Sequence, residues 1–217
     1  GLRFCKSPIF VINNGISIPK VQHSKKVKKI ISSDAVNLGC VGALIPVKRI
    51  RKALKIIRVL HDHDLKANLL ICGDGPLHGD LLNKARKLGI SDHIDILGHV
   101  TDEVLEANYN KFDFLVFPAR YEGFGYPIVE ASAHGVPTIV FDDSIISTEV
   151  LNLAIIASDE IAAAKIILDS LYNNKLYQEM SDRARINAKE FDRNTMSQRL
   201  VQLYLDIMDD GSQVPHA

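Results

Sequence analysis

Short apolar runs alternate with segments of helical period along most of the chain. The apolar runs are rich in Val, Ile, Leu and Phe, and they cover residues 36–44, 67–72, 93–97, 113–117, 137–141 and 153–157. Apolar residues at helical spacing follow the first two runs: Ile50, Leu54 and Ile57, then Leu77, Leu81, Ala85 and Leu88. Strands that are apolar on both faces and alternate with helices indicate a parallel sheet covered by helices on both sides. We therefore expect an α/β fold, a doubly wound, Rossmann-like parallel sheet of six strands.

After residue 157 the strand pattern stops, and three helical patterns follow over residues 159–172, 175–190 and 194–209. The last pattern places five apolar residues on one face of its helix: Met196, Leu200, Leu203, Tyr204 and Ile207. We expect these C-terminal helices either to cap the sheet or to reach toward another domain.

The patterns divide the chain into three parts. Residues 1–35 are expected to form a leading segment or inter-domain linker, and residues 36–209 the Rossmann-like domain. Residues 210–217 are polar, contain Gly and Pro, and are expected to form a disordered tail. Five lysines lie within residues 20–29, where either a solvated loop or a peripheral contact with lipid phosphates would suit them.

Composition excludes several classes of protein. The chain has 217 residues, of which 26 are basic and 26 acidic, and 47% are hydrophobic. A net charge of zero argues against a nucleic-acid partner, and this apolar content argues against disorder. No run approaches 18 apolar residues and no leader pattern is present. The protein is therefore expected to be cytoplasmic, with the inner face of the membrane as its alternative place.

The cysteines give no sign of a metal site. Cys5, Cys40 and Cys72 are an odd number without metal-ligand spacing, and the last two lie in apolar stretches. We expect reduced thiols in the core, no metal site and no cofactor.

Two loops that follow predicted strands carry glycine. Gly42 follows the first strand and is succeeded by Lys48 at the start of a helix, while Gly73 opens the turn Gly-Asp-Gly-Pro after the second. Loops at the carboxyl ends of parallel strands share one edge of the sheet, where ligands of such sheets bind. Glycine lets backbone N–H groups approach an anion, and a lysine adds a positive charge. The spacing does not match the dinucleotide-binding motif of dehydrogenases.

Residues 117–137 carry the strongest local signal. A strand end is followed by Glu122-Gly123-Phe124-Gly125 and then by a short helix, which Pro127 can begin and Gly135 can end. The N–H groups of residues 123–126 would then point to an anion such as a diphosphate, with the helix dipole behind them. Glu130 lies eight residues after Glu122, and carboxylates suit the hydroxyl groups of ribose and of a hexose. The alternative is that Glu122 caps the helix and Glu130 is a surface charge.

The segment from Glu122 to Glu130 resembles the E-x7-E signature of retaining glycosyltransferases of the GT-B fold, especially family four. Further stretches agree in order and spacing: residues 41–48, 73–76, 97–100, 112–118 and 135–137. The resemblance covers roughly residues 36–209, and residues 12–16 look like the segment that leads into the C-terminal domain of the family. It implies that this chain is the donor-binding half, and that a missing N-terminal domain binds a glycan or lipid-linked acceptor.

The resemblance implies a role for each site residue. Lys48 and Glu122 would be the catalytic pair, with Lys48 on the donor diphosphate and Glu122 facing the donor sugar. Glu130 would bind the ribose hydroxyls. The remaining donor-binding residues would be Gly42, Gly73, Val100 at the nucleobase, and Gly123, Phe124, Gly125 and Tyr126 at the diphosphate. The donor would be a nucleoside diphosphate sugar, with UDP favoured, carrying a hexose or N-acetylhexosamine, for surface polysaccharide such as O-antigen.

One departure from the family concerns the phosphate cations. Where the family has an arginine after the first glycine, this chain has Ala43, and Arg49, Arg51 or Arg120 would have to replace it. The loop after the fifth strand also differs from the glycine-rich loop of the family. Two alternatives stay open at this point, a sugar-nucleotide epimerase of the same fold and a non-catalytic domain that binds a nucleotide sugar or a partner.

Overall fold

A six-stranded parallel sheet forms the centre of the computed structural model, which describes residues 10–18 and 35–211. The strands are β1 Val36–Val41, β2 Ala67–Cys72, β3 Ile94–Gly98, β4 Phe114–Val116, β5 Thr138–Phe141 and β6 Ala154–Ala157. Their order across the sheet is β3-β2-β1-β4-β5-β6, and every pair is parallel. The predicted doubly wound fold and its six strands are confirmed.

The described residues contain eight α-helices: α1 Arg51–Asp62, α2 His78–Leu88, α3 Asp102–Tyr109, α4 Tyr126–Ala133, α5 Thr148–Leu151, α6 Glu160–Tyr172, α7 Asn174–Ala188 and α8 Arg193–Gly211. One buried cluster joins α1, α2 and α6 to one face of the sheet. A second cluster joins α3, α4 and α5 to the other face. Both faces of the four inner strands are therefore apolar, as the sequence pattern indicates, while the edge strands β3 and β6 are partly exposed.

The strand order reverses its direction between β1 and β4, because β2 and β3 extend from one side of β1 and the later strands from the other. The helices that follow β1 and β4 lie on opposite faces of the sheet. A crevice opens at the carboxyl end of such a switch point, and it is the usual ligand site of open α/β sheets. The fold therefore places the loops after β1 and β4 on either side of one crevice.

The segment before the domain is fixed to its last helices. Ile16 is buried, its N–H donates to the Phe191 carbonyl at 2.8 Å, and its own carbonyl accepts from the Arg193 N–H at 2.8 Å. At the other end, α8 continues to Gly211. Residues 1–9, 19–34 and 212–217, which include Cys5, the lysines of 20–29 and most of the predicted tail, lie outside the described residues.

Cys40 and Cys72 are free and buried on adjacent strands, as expected for core thiols, and burial raises the pKa of Cys40 to about 12. Among the helices that the structure describes, none combines the length and the apolar composition that a membrane crossing requires.

Candidate functional site

The loops after β1 and β2 pack against each other by backbone contact. A Cβ atom on Gly73 would lie 2.0 Å from the Gly42 carbonyl oxygen, so only glycine fits there. The Gly42 N–H donates to the Cys72 carbonyl at 3.0 Å and is not available to a ligand. The neighbouring N–H of Ala43 has no acceptor among the described residues. Gly73 thus has a structural function, and an anion at this loop would meet the Ala43 amide rather than that of Gly42.

Lys48 and Glu122 meet across the crevice. Lys48 ends a short 3-10 helix over Pro46–Lys48, and its ammonium group forms an ion pair with the Glu122 carboxylate. The two side chains are each 19% exposed, and the Lys48 Nζ also lies 5.6 Å from the centre of the Phe117 ring. The two residues are 74 positions apart in the sequence, and the switch point brings them together.

The start of α4 presents unpaired backbone N–H groups beside this ion pair. Gly125 precedes the helix with φ at 97°, a left-handed conformation that favours glycine. The N–H groups of residues 124–126 have no acceptor within the described part of the chain. The Gly123 N–H, in contrast, donates to Glu122 Oε1 at 3.0 Å. Three of the four amides expected to face an anion are therefore free to do so, and the fourth fixes the Glu122 carboxylate.

The helix boundaries agree with the sequence signals. Residue Tyr126 is the first of α4, Pro127 lies in its first turn, and Ala133 is the last. Gly135 follows with φ at 70°, the left-handed conformation typical of a helix end. The exposed Tyr126 ring and the half-buried Phe124 ring lie edge to face, with their centres 5.0 Å apart. The two aromatic residues thus flank the amide-lined start of the helix.

Glu130 lies on α4 and points into a groove of about 370 Å³. The Tyr109 hydroxyl donates to Glu130 Oε2 at 2.7 Å. Burial raises the pKa of Glu130, and Asp102 adds to this, while the hydrogen bond from Tyr109 acts in the opposite direction. Tyr126 and residues 15–18 also line the groove. Glu130 is thus half-buried and held by a neighbour, which the surface-charge alternative does not predict.

Val100 follows β3 and is partly buried beside the second core cluster. It precedes Thr101, whose hydroxyl accepts from the Val104 N–H at 3.4 Å and caps α3. The role of Val100 at a nucleobase stays a prediction, as do the ligand roles of the other site residues.

None of the three arginines considered as replacements at Ala43 is unpaired. Arg49 and Arg120 both form ion pairs with Asp143, at 2.6 and 2.7 Å. Arg51 pairs with Asp80 at 2.6 Å. The arginine side chains therefore have structural partners, and Lys48 is the cation that contacts the carboxylate of the candidate site.

The Asp143 network ties three loops together, and sequence reasoning missed it. Arg49 has a left-handed backbone, with φ at 49°, and its Nε donates to the Pro118 carbonyl at 2.7 Å. The hydrogen bond from Arg49 lowers the pKa of Asp143 to about 2, so the carboxylate is charged at neutral pH. Ser144 Oγ donates to the Ala119 carbonyl at 2.6 Å. These contacts fix the chain just before Glu122 relative to the loop that carries Lys48.

No group of three or more His, Cys, Asp or Glu side chains converges on a common point in the described residues. The candidate site instead combines one lysine, two carboxylates and free backbone amides. Such a set can bind an anion at its centre and hydroxyl groups on either side.

Comparisons with known proteins find related sequences and structures. The family model of the glycosyl transferases of group 1 matches residues 21–191. The O-antigen chain mannosyltransferase B of Escherichia coli is 28% identical over 168 residues, which are 76% of this chain and 44% of the relative. The chain spans about half or less of the length of the curated relatives that it matches.

Solved structures share the fold. The structure of Anabaena Alr3699/HepE in complex with UDP superimposes with a TM-score of 0.74 at 17% identity, over 91% of this chain and 57% of that protein. The C-terminal domain of LpcC, a glycosyl transferase group 1 family protein from Francisella tularensis, superimposes with a TM-score of 0.64 at 15% identity. That match covers 81% of this chain and 97% of the LpcC domain.

Proposed function

Because this chain belongs to the glycosyl transferases of group 1, we propose that it is the donor-binding domain of a retaining GT-B glycosyltransferase. The donor is a nucleoside diphosphate sugar, with UDP favoured as the nucleotide. The transferred group is a hexose or an N-acetylhexosamine, and the acceptor is a glycan or a lipid-linked sugar.

The free N–H groups at the start of α4 are the observation that carries the proposal. They lie at the positive end of a helix dipole, next to the Lys48–Glu122 ion pair. A diphosphate bound there would be neutralised by the amides of residues 124–126 and by the Lys48 ammonium group. As the bond to the sugar breaks, negative charge grows on the departing diphosphate, and groups fixed in advance stabilise that charge best. Lys48 and the helix start would supply this stabilisation.

The two carboxylates would bind the two sugars of the donor. Glu130 lies about one turn inside α4, where its carboxylate would accept hydrogen bonds from the ribose hydroxyls. Glu122 precedes the helix and would accept from the donor sugar while its other contacts hold it in place. The nucleobase would then lie toward Val100. The roles of Glu122 and Glu130 both use the acceptor-only character of an ionised carboxylate.

A second domain would supply the acceptor site. The face of α8 that carries Leu200, Tyr204 and Met208 is exposed, with Tyr204 at 61% and Met208 at 70% of their surface. An exposed apolar strip of this kind suits a contact with another domain. Of the two expectations for the last helix, reaching toward another domain therefore fits better than capping the sheet. The enzyme would act on surface polysaccharide at the inner face of the membrane.

A second candidate function is nucleotide-sugar binding without transfer. The pairing of Arg49 and Arg120 with Asp143, and of Arg51 with Asp80, favours it because none of these three arginines is free to replace the cation lost at Ala43. Transfer of sugar by the full-length protein with retention of the anomeric configuration would exclude this candidate. It would also exclude an epimerase, which forms its product without an acceptor.

Thermal unfolding with a panel of UDP-, GDP- and ADP-sugars tests donor binding. A ligand that binds only the native state at a hundred times its Kd stabilises the protein by about 2.7 kcal/mol, so the cognate donor raises the Tm. A Tm that no member of the panel raises would contradict both candidate functions.

A further inference from the structure

A groove of about 540 Å³ lies between α1 and α2, on the outer surface of the helix layer. Six cationic side chains line it: Arg49, Arg51, Lys52, Lys55, Lys84 and Lys87. Asp80 is the acidic residue of its lining. The groove is separate from the crevice of the candidate donor site, but it begins at Pro46 and Arg49, on either side of Lys48.

Ion pairing within the domain does not neutralise this groove. Arg49 pairs with Asp143, Arg51 with Asp80, and both Lys52 and Lys55 with Glu160. Lys84 and Lys87 have no carboxylate partner in the described part of the chain. Six cations thus face three carboxylates, and about three positive charges remain. The chain as a whole has equal numbers of acidic and basic residues, so this excess is a local concentration of charge.

The floor of the groove is apolar. The exposed Pro46 and the half-buried Leu77 supply its apolar surface, while Ile50 also lines the groove but is only 2% exposed. The long stems of lysine can cover such a floor while their ammonium groups stay at the rim. Lysine binds phosphate as a flexible point charge rather than in one fixed geometry. The Lys52 ammonium group lies 3.8 Å from the centre of the Phe141 ring, so Lys55, Lys84 and Lys87 are the lysines of the lining whose ammonium groups can meet a ligand. Lysines beside an apolar surface suit a group that has a phosphate next to hydrocarbon.

We propose that the groove between α1 and α2 binds the phosphate headgroups of anionic phospholipids and holds this domain against a membrane surface. Clusters of four to eight lysines and arginines are typical of protein surfaces that bind anionic lipid. An apolar floor beside the charges favours a lipid headgroup over a free anion, which has no apolar part to bury. The proposal goes beyond donor binding and does not depend on it.

Sedimentation with lipid vesicles tests the proposal on the full chain. Vesicles of phosphatidylcholine with a third phosphatidylglycerol should bind the protein, and vesicles of phosphatidylcholine alone should not. The double variant Lys84→Ala, Lys87→Ala should bind the anionic vesicles about thirtyfold more weakly, since each lysine near an anionic surface contributes roughly fivefold. The matched control is Lys66→Ala, Lys189→Ala, which removes two exposed lysines outside the groove and should bind like the wild type.

A third variant separates the groove from the lysine-rich stretch of residues 20–29. In this variant Lys25, Lys26, Lys28 and Lys29 are replaced by serine. Further replacement of Lys84 and Lys87 by alanine should weaken its binding to anionic vesicles by the same factor as in the wild type. Equal binding of the groove variant and the control would overturn the proposal. Binding of soluble tripolyphosphate without binding of anionic vesicles would overturn it as well, because the groove would then be a site for free anions. Thermal unfolding shows that each variant is folded.

Discussion

The acid–base behaviour of Glu130 decides how the candidate site responds to pH. Removal from water raises the pKa of this carboxyl above its ordinary value of 4.5, and the Tyr109 hydroxyl limits the rise by donating to the charged form. The carboxylate accepts hydrogen bonds from the ribose hydroxyls more strongly than the protonated acid does. Because its pKa is raised, Glu130 stays protonated up to a higher pH, and over that range the site binds UDP more weakly.

We expect UDP to bind more tightly as the pH rises from 4.5 through the raised pKa of Glu130. Glu130→Gln, which has no titrating carboxyl, should lack this part of the pH dependence and bind UDP more weakly by about 1–3 kcal/mol at neutral pH. The measurement is isothermal calorimetry of UDP with both proteins. Because phosphate groups titrate near pH 6, the quantity to compare is the difference between the two proteins. A difference that does not vary with pH would contradict the role of Glu130.

The raised pKa of Glu130 affects binding and stability in opposite directions: as the pH rises, UDP binding becomes tighter and the free protein becomes less stable. A carboxyl whose pKa is raised by folding stabilises the native state fully below its unfolded pKa, and this contribution is lost as the pH rises through the folded pKa. Glu130 therefore has a stability cost at neutral pH in the free protein. A cost of this kind is more typical of a binding site than of a position selected for stability.

Sequence reasoning proposed Lys48, Glu122 and Glu130 as site residues, but it did not predict which polar side chains surround the site. Tyr109 reaches Glu130 from α3, 21 residues away, and Asp143 reaches Arg49 over 94 residues. Hydrophobic periodicity predicts which element a residue belongs to and does not predict which polar side chains meet across elements. The ion pairs of Arg49, Arg51 and Arg120 with carboxylates could not be predicted either, because they too join residues of different elements.

The first turn of α4 depends on one glycine. A Cβ on Gly125 would lie 3.3 Å from Ile128 and from Val150, and the backbone there is left-handed. At Gly123, two residues earlier, a Cβ would meet no atom within 4 Å. The backbone and the packing at Gly125 therefore require glycine, whereas position 123 has room for a side chain, although the sequence alone does not distinguish the two positions.

We expect Gly125→Ala to destabilise the protein by about 1–2 kcal/mol, because a side chain is strained in the left-handed region. It should also weaken UDP binding, since the strained turn no longer presents the amides of residues 124–126. Gly123→Ala is the matched control and should change stability by less than about 0.5 kcal/mol. Denaturant unfolding measures the stability of both variants, and calorimetry measures their binding of UDP. Equal losses for the two variants would contradict the requirement at Gly125.

The sequence predicted the strands well and two helices not at all. Every strand lies within the predicted run or ends one residue beyond it. The inner strands of a parallel sheet are buried on both faces and therefore read as continuous apolar runs. The missed helix α3 has Val104 exposed and Leu105 only half-buried, so its apolar period is weak. The missed helix α5 has four residues, too few for a period to show. Both helices are recognised only from the structure, in which they pack on the core.

In the whole molecule, the rigid sheet and the last helix differ in how well they are packed. The strands and α1 contribute many fully buried side chains, while most apolar residues of α8 are exposed. Local opening requires least free energy where few apolar contacts hold an element. The α8 helix is therefore the part of this domain that most depends on a further partner.

We expect the backbone amides of α8 to exchange with deuterium faster than those of α1 and β2 in the isolated chain. Attachment of the N-terminal domain that we propose should slow exchange in α8 specifically, because its apolar face would then be buried. Hydrogen exchange measured by mass spectrometry gives both rates. Protection of α8 equal to that of α1 in the isolated chain would contradict this account of the helix.

Calorimetry of UDP and uridine with the wild type and Lys48→Ala shows whether a diphosphate lies between Lys48 and the free amides at the start of α4. The variant should bind UDP about tenfold to a hundredfold more weakly, the effect of losing one charged hydrogen bond, and uridine as well as before. Lys66→Ala, at an exposed position remote from these loops, should bind both like the wild type. Equal weakening of UDP and uridine, or unchanged UDP binding by Lys48→Ala, would contradict the account.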